Sequence, residues 1–136
     1  MRSNLKPNVL IIDDEKRFAT MLSKRLSLRG YSCEVVYDGE SGLEALPRHP
    51  FKVVVLDLRL PGLSGEEVLE RIKMEQPDLP VIILTGHGNE KERAKCMGLN
   101  AHSFLNKPVD LSFLVELFEE ILGEGSGKQT GSAGGS

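Results

Sequence analysis

The stretch Val53-Val54-Val55-Leu56-Asp57-Leu58-Arg59-Leu60-Pro61 decides the fold. Its first four residues are apolar without a break, which predicts a strand covered on both faces, and a polar residue ends the run abruptly. Similar uninterrupted runs stand at Val9–Ile12 and at 81–84. We therefore predict that these three runs are strands at the centre of a sheet, and that the strand of the quoted stretch spans 52–56. Further strands are predicted at 32–37 and 101–105.

Segments with helical periodicity separate these strands. Apolar residues recur at helical spacing from Phe18 to Leu26, from Val68 to Ile72 and from Leu111 to Leu122, as expected for the buried face of a helix. Asp110 is placed to cap the last helix, and Asn100 suits the left-handed conformation that often ends one. Strands and helices alternate about five times, which indicates an α/β fold of successive βα units around a parallel sheet.

Size and composition are those of one globular domain. A chain of 136 residues buries roughly two-thirds of its unfolded surface on folding, which suffices for a single core. The formal net charge is -3 and no basic run could neutralise a stretch of phosphates, so we expect no direct contact with nucleic acid. No apolar run reaches the roughly 20 residues that span a bilayer, and residues 1–8 lack a signal-peptide core, which favours a cytoplasmic protein without membrane contacts.

Cys33 and Cys96 match no metal or redox spacing and are predicted to be reduced, buried thiols.

Charged and hydroxyl residues appear where the predicted strands end. Asp13 and Asp14 follow the first strand. Asp57 follows the third, Thr85 the fourth and Lys107 the fifth. The carboxyl ends of parallel strands share one edge of the sheet, where ligands of such folds bind, so these side chains should converge. Three carboxylates brought together repel one another unless a hard cation lies between them, and Mg²⁺ is the natural candidate.

A carboxylate can also act as a nucleophile toward phosphorus and form an acyl phosphate. Asp57 is the best-placed candidate, because it ends a central strand beside the acidic pair of the neighbouring strand. Catalysis of phosphoryl transfer consists mainly of positioning, with cations and donors directed at the phosphoryl oxygens. Lys107 would supply a positive charge and Thr85 a hydroxyl donor.

Four stretches of the chain together match the motifs of one family: Val9–Glu15, Val53–Gly65, Val81–Gly86 and Phe104–Pro108. On these motifs, residues 8–122 resemble the CheY-like receiver domains of two-component signalling. The resemblance implies a flavodoxin-like (βα)5 three-layer sandwich, with a parallel five-stranded sheet of order 2-1-3-4-5. It also implies Mg²⁺-dependent, autocatalytic transfer of a phosphoryl group from a histidine kinase or phosphotransfer protein to Asp57, followed by a conformational switch.

The resemblance assigns a metal-binding role to four residues. Asp14 and Asp57 would be direct ligands of Mg²⁺, and Asp13 would act largely through water. The main-chain carbonyl of Arg59 would complete the protein's share of the ligands.

Three further residues would handle the phosphoryl group and the switch. Lys107 would pair with the acceptor carboxylate and later with the phosphoryl oxygens, and Thr85 would bind the phosphoryl group. Phe104 would be the aromatic side chain that rotates inward when Thr85 moves. Leu60 and Asn100 depart from the Met and Gly that are common in the family, but neither touches the chemistry.

The resemblance also bears on domain organisation and partners. The receiver domain is predicted over 1–122, and the Gly- and Ser-rich residues 123–136 are predicted to be a flexible linker or a tail of cloning origin. Residues 84–89 are similar to receivers of nitrogen-regulation type that precede a transcriptional module, which leaves a transcriptional output domain and a homodimer as candidate partners. His87 either modulates water access to the acyl phosphate or is a solvated loop residue.

The same residues argue against three other functions. A flavodoxin that binds FMN needs a hydroxyl- and glycine-rich loop after the first strand, but here that loop is Asp13-Asp14-Glu15, which would repel a phosphate. A phosphatase of haloacid dehalogenase type would have an acidic residue where Arg59 stands. A degenerate receiver that serves only as a scaffold would lack the intact set of site residues, and it should show no saturable response to Mg²⁺ and beryllofluoride.

Overall fold

The computed structural model describes residues 7–123, in which five strands alternate with five helices. In chain order these elements are β1 (Val9–Ile12), α1 (Lys16–Ser27), β2 (Cys33–Val36), α2 (Gly39–Ala45), β3 (Val53–Leu56), α3 (Gly65–Glu75), β4 (Val81–Thr85), α4 (Glu90–Gly98), β5 (Ser103–Asn106) and α5 (Leu111–Leu122). The strands form one parallel sheet of order β2-β1-β3-β4-β5, as the resemblance implied. Every residue of β1, β3 and β4 is buried, as their unbroken apolar runs predicted. The predicted tail lies, from residue 124 onward, outside the described residues.

Helices cover both faces of the sheet and give the expected three layers. Alternate residues of a strand point to opposite faces, so each central strand contributes to two separate cores. α1 and α5 pack on one face, where Leu22 and Phe118 are fully buried. α2, α3 and α4 cover the other face, where Leu69 of α3 is fully buried.

Three strands, β2, β4 and β5, differ from their predicted bounds. β5 begins at Ser103 instead of position 101, because the main-chain N–H of Ala101 is hydrogen-bonded in the turn that ends α4. Asn100 has the predicted left-handed conformation, with φ of 72°, and the Ala101 N–H donates to the Cys96 carbonyl at 3.0 Å. β2 is one residue shorter at each end than the predicted 32–37, and β4 extends by one residue to Thr85.

Capping side chains fix the starts of α4 and α5. The Asp110 carboxylate accepts a hydrogen bond from the Ser112 N–H at 2.9 Å, which confirms the predicted cap of α5. For α4 the sequence indicated only its end, at Asn100, and no apolar stripe, because Cys96 is its only buried residue. Its start is instead specified by a capping box, in which Asn89 and Glu92 each bond the other's main-chain N–H.

Both cysteines are free thiols, as predicted, although Cys33 is only half-buried whereas Cys96 is fully buried. Burial raises the pKa of each thiol to about 11, so both are protonated at neutral pH. Among residues 7–123, no helix has the length and apolar character needed to cross a bilayer.

Candidate functional site

The carboxyl ends of β1 and β3 place acidic residues side by side. The two strands pair in parallel with Ile12 opposite Leu56, so Asp13 and Asp57 leave the sheet together. The Asp57 N–H donates to the Ile12 carbonyl at 2.9 Å, which holds the end of β3 against β1. Asp13, Asp14 and Asp57 each offer a carboxylate oxygen, and these oxygens lie within 4.8 Å of one another. The structure therefore brings together the three carboxylates that the sequence singled out.

This acidic cluster is electrostatically unfavourable by itself. Asp13 and Asp57 are only 3% and 4% exposed, whereas Asp14 is exposed to solvent. Burial raises the pKa of Asp13, and the charge of Asp57 adds to this, against hydrogen bonds from Lys107 and the Glu15 N–H. Carboxylate oxygens are the ligands that hard divalent cations prefer, so the cluster could hold a metal ion.

Lys107 reaches the acidic cluster from the end of β5. Its N–H donates to the Thr85 carbonyl at 2.8 Å, which fixes the backbone. Its Nζ lies 2.5 Å from Glu15 Oε1, 2.9 Å from Asp13 Oδ2 and 3.7 Å from Asp57 Oδ2. Burial by itself would lower the pKa of this ammonium, but the hydrogen bonds to its carboxylate partners raise it above the usual value. Lys107 is therefore a permanent positive charge at the site.

Thr85 ends β4 and is completely buried. Its hydroxyl has no hydrogen-bond partner among the described residues. A buried hydroxyl without a partner has lost its hydration and gained nothing in return, so it is ready to donate to an incoming acceptor oxygen.

Phe104, the aromatic residue that the resemblance expects to rotate, is buried on β5, and its rotation stays a prediction. The residue is only 7% exposed, and its ring lies against the loop that follows β4. A Cβ on Gly88 would lie 2.6 Å from two carbons of this ring, so the loop closes over it. Phe104 therefore already occupies an inward position in this structure.

The side chain of Arg59 joins the loop after β3 to α4. Its guanidinium donates to the Glu92 carboxylate at 2.6 and 3.2 Å and to the His87 carbonyl at 3.0 Å. Its main-chain N–H donates to Asp57 Oδ1 at 3.3 Å. One residue thus connects the candidate nucleophile to the start of α4. That its carbonyl binds a metal stays a prediction.

Two residues of the site, Glu15 and Gly65, were not predicted from the sequence. Glu15 contacts Lys107 across 92 positions of sequence, a separation at which no local pattern reveals a contact. Gly65 lies so close to the end of β3 that a Cβ there would come within 2.5 Å of the Leu58 Cα and still closer to the Asp57 carbonyl. Gly65 could have been recognised from its place in the family motif that follows β3. A glycine is needed there because the backbone leaves no room for a side chain.

A parallel sheet of order 2-1-3-4-5, with an acidic cluster and a lysine at its carboxyl edge, defines a flavodoxin-like α/β protein of the CheY-like class. The sequence model of the response regulator receiver domain matches residues 9–119 of the chain. The chain belongs to this family, the receiver domains of two-component response regulators, and is accordingly a signalling domain.

Curated relatives include transcriptional regulators. The chain is 35% identical over 117 residues to the transcriptional regulatory protein FixJ of Bradyrhizobium diazoefficiens, covering 86% of this chain and 57% of that protein. It is 34% identical over 110 residues to the uncharacterized transcriptional regulatory protein YkoG of Bacillus subtilis, covering 81% and 48% respectively. The chain thus spans about half the length of these relatives.

Solved structures show the same fold. A CheY-like receiver domain protein from Methanospirillum hungatei superposes with a TM-score of 0.83 at 25% identity, covering 91% of this chain and 99% of that one. The receiver domain of NtrX from Brucella abortus superposes with a TM-score of 0.78 at 31% identity, covering 84% and 97%. These matches confirm the family resemblance and the strand order.

Proposed function

We propose that Asp57 accepts a phosphoryl group from a histidine kinase or phosphotransfer protein in a Mg²⁺-dependent reaction in the cytoplasm. The observation that carries this proposal is the convergence of Asp57 with two further carboxylates and the ammonium of Lys107 at one edge of the sheet. A buried carboxylate at a strand end, next to a cation site and a fixed positive charge, suits nucleophilic attack on phosphorus.

In the transfer, a carboxylate oxygen of Asp57 attacks the phosphorus of the donor's phosphohistidine. A phosphorus–oxygen bond forms as the phosphorus–nitrogen bond breaks, and the electron pair of the broken bond stays on the imidazole nitrogen. Lys107 and the hydroxyl of Thr85 stabilise the phosphoryl oxygens. Hydrolysis of the acyl phosphate returns Asp57 to its carboxylate form.

Asp14 and Asp57 would hold Mg²⁺ directly, Asp13 largely through water, and the carbonyl of Arg59 would complete the protein's ligands. Bound Mg²⁺ supplies positive charge that offsets the carboxylates and the phosphoryl oxygens. The three carboxylate oxygens within 4.8 Å of one another support this assignment.

The acyl phosphate then acts as a conformational signal through Thr85 and Phe104. It offers acceptor oxygens to the unpartnered Thr85 hydroxyl, which draws the end of β4 toward the site. Because the Phe104 ring is already inward, the phosphoryl group stabilises that position and so shifts the population toward it. The transcriptional relatives support a transcriptional output domain, or a homodimer, as the recipient of the signal.

Labelling with a small phosphodonor tests the assignment of Asp57. Incubation with acetyl phosphate and Mg²⁺ should give one base-labile phosphoryl adduct by intact-mass measurement, and Asp57→Asn should abolish it. Asp78→Asn, a change at an exposed carboxylate outside the cluster, is the matched control and should label as the wild type does. Undiminished labelling of Asp57→Asn, with the adduct on another residue, would refute the assignment.

A further inference from the structure

The ammonium of Lys107 is bound more closely by two other carboxylates than by the candidate acceptor. Nζ lies 2.5 Å from Glu15 Oε1 and 2.9 Å from Asp13 Oδ2, both within hydrogen-bond range. The distance to Asp57 Oδ2 is 3.7 Å, which is beyond a hydrogen bond. The Phe18 ring covers a further side of the ammonium, with its centroid 4.5 Å from Nζ.

We propose that Glu15 is a positioning residue that holds Lys107 away from Asp57 in the unphosphorylated protein and competes with the phosphoryl group for its ammonium. This inference rests on the proposed phosphorylation of Asp57. An ammonium has three donors, and here Glu15 and Asp13 each take one. One donor is left, so Lys107 can direct a second donor at phosphoryl oxygens on Asp57 only by releasing one of these two carboxylates.

The exposure of the partners makes Glu15 the carboxylate that Lys107 can release. Its side chain is 62% exposed, whereas the side chains of Lys107 and Asp13 are 11% and 4% exposed. Water can replace the lysine at an exposed carboxylate, so the contact is weak and reversible. Asp13 is fixed by burial and by a hydrogen bond from the Glu15 N–H at 2.9 Å. Glu15 thus sets how readily Lys107 becomes available.

The test compares the affinity for beryllofluoride, a phosphoryl mimic, in the presence of saturating Mg²⁺. Glu15→Gln removes the competing charge and should tighten binding about two- to fivefold, the scale of an exposed ion pair. Glu15→Asp keeps the charge but is one methylene shorter, so it should break the contact and tighten binding similarly. Glu70→Gln, which removes an exposed charge on α3 away from the site, should leave the affinity unchanged.

A second readout needs neither metal nor phosphoryl mimic. The NMR signal of the Lys107 ammonium in metal-free protein should shift in Glu15→Gln and Glu15→Asp but stay in place in Glu70→Gln. A purely structural role for Glu15 would leave this signal unchanged while it lowered stability.

The outcomes separate this inference from the proposed function. Unchanged or weaker beryllofluoride binding in Glu15→Gln would overturn the inference while the proposed function stands. So would tighter binding in Glu15→Gln with wild-type binding in Glu15→Asp, because the effect would then come from charge at a distance. A folded wild-type protein that never responds to beryllofluoride would contradict the proposed function, and the inference with it.

Discussion

Exposure separates the three carboxylates of the acidic cluster. Asp13 and Asp57 are buried at the edge of the sheet, where water solvates them poorly, and Lys107 lies within 4 Å of both. Asp14 is exposed and has no such partner among the described side chains. Replacement of Asp14 should therefore remove a proposed metal ligand while it disturbs the fold least.

Asp14→Ala should lower the affinity for Mg²⁺ strongly, because it removes both a charge and a ligand oxygen. In metal-free protein the same change should raise the unfolding free energy by about 1 kcal/mol, since it relieves repulsion among the carboxylates. Calorimetric titration with Mg²⁺ and urea unfolding measure the two effects, with Asp78→Ala as the control. Wild-type affinity for Mg²⁺ in Asp14→Ala would show that this residue is not a ligand.

The elements around the site pack so closely that one position between them excludes any side chain. α3 begins at Gly65, against the backbone that follows β3, where a Cβ would contact the Leu58 Cα and the Asp57 carbonyl. Backbone atoms cannot rotate away as a flexible side chain can. Gly98 near the end of α4 is the opposite case, because a Cβ there would meet no atom within 4 Å.

Gly65→Ala should lower the unfolding free energy by about 1–3 kcal/mol, the usual effect of overpacking. Gly98→Ala should raise it by about 0.4–1 kcal/mol, because alanine restricts the unfolded chain and fits the helix. Urea unfolding of both variants measures the difference between the two glycines. Equal stability of the two variants would show that α3 does not press on the end of β3.

At the scale of the whole molecule, the elements that could be predicted from the sequence are the strands buried on both faces of the sheet. β1, β3 and β4 are apolar without a break because they lie in the middle layer, so a local pattern identified them and the strand ends located the acidic cluster. α4 buries one residue and has no such pattern. The contacts of Lys107 with Glu15 and of Arg59 with Glu92 join distant parts of the chain, so they became visible only in the structure.

The proposed switch must also be supplied with enough free energy. To move a two-state equilibrium from 1:99 to 99:1, a ligand must favour one state by about 5.5 kcal/mol. Charge-assisted hydrogen bonds from Thr85 and Lys107 to a phosphoryl group, at roughly 1.5–3 kcal/mol each, could supply most of this. Thr85 is the only one of the two whose side chain lacks a hydrogen-bond partner among residues 7–123, so it gains most from the phosphoryl group.

Coupling of Asp57 to the distal elements through Thr85 is tested most directly by an NMR comparison of wild type, Thr85→Ala and Thr85→Ser, each with and without beryllofluoride in Mg²⁺. The shifts of amides 85–122 report whether occupation of Asp57 reaches α4, β5 and α5. We predict that all three proteins bind beryllofluoride, that Thr85→Ser retains the distal shifts because it keeps the hydroxyl, and that Thr85→Ala loses most of them. Distal shifts in Thr85→Ala that match those of the wild type would contradict the proposal that the Thr85 hydroxyl couples Asp57 to the rest of the molecule.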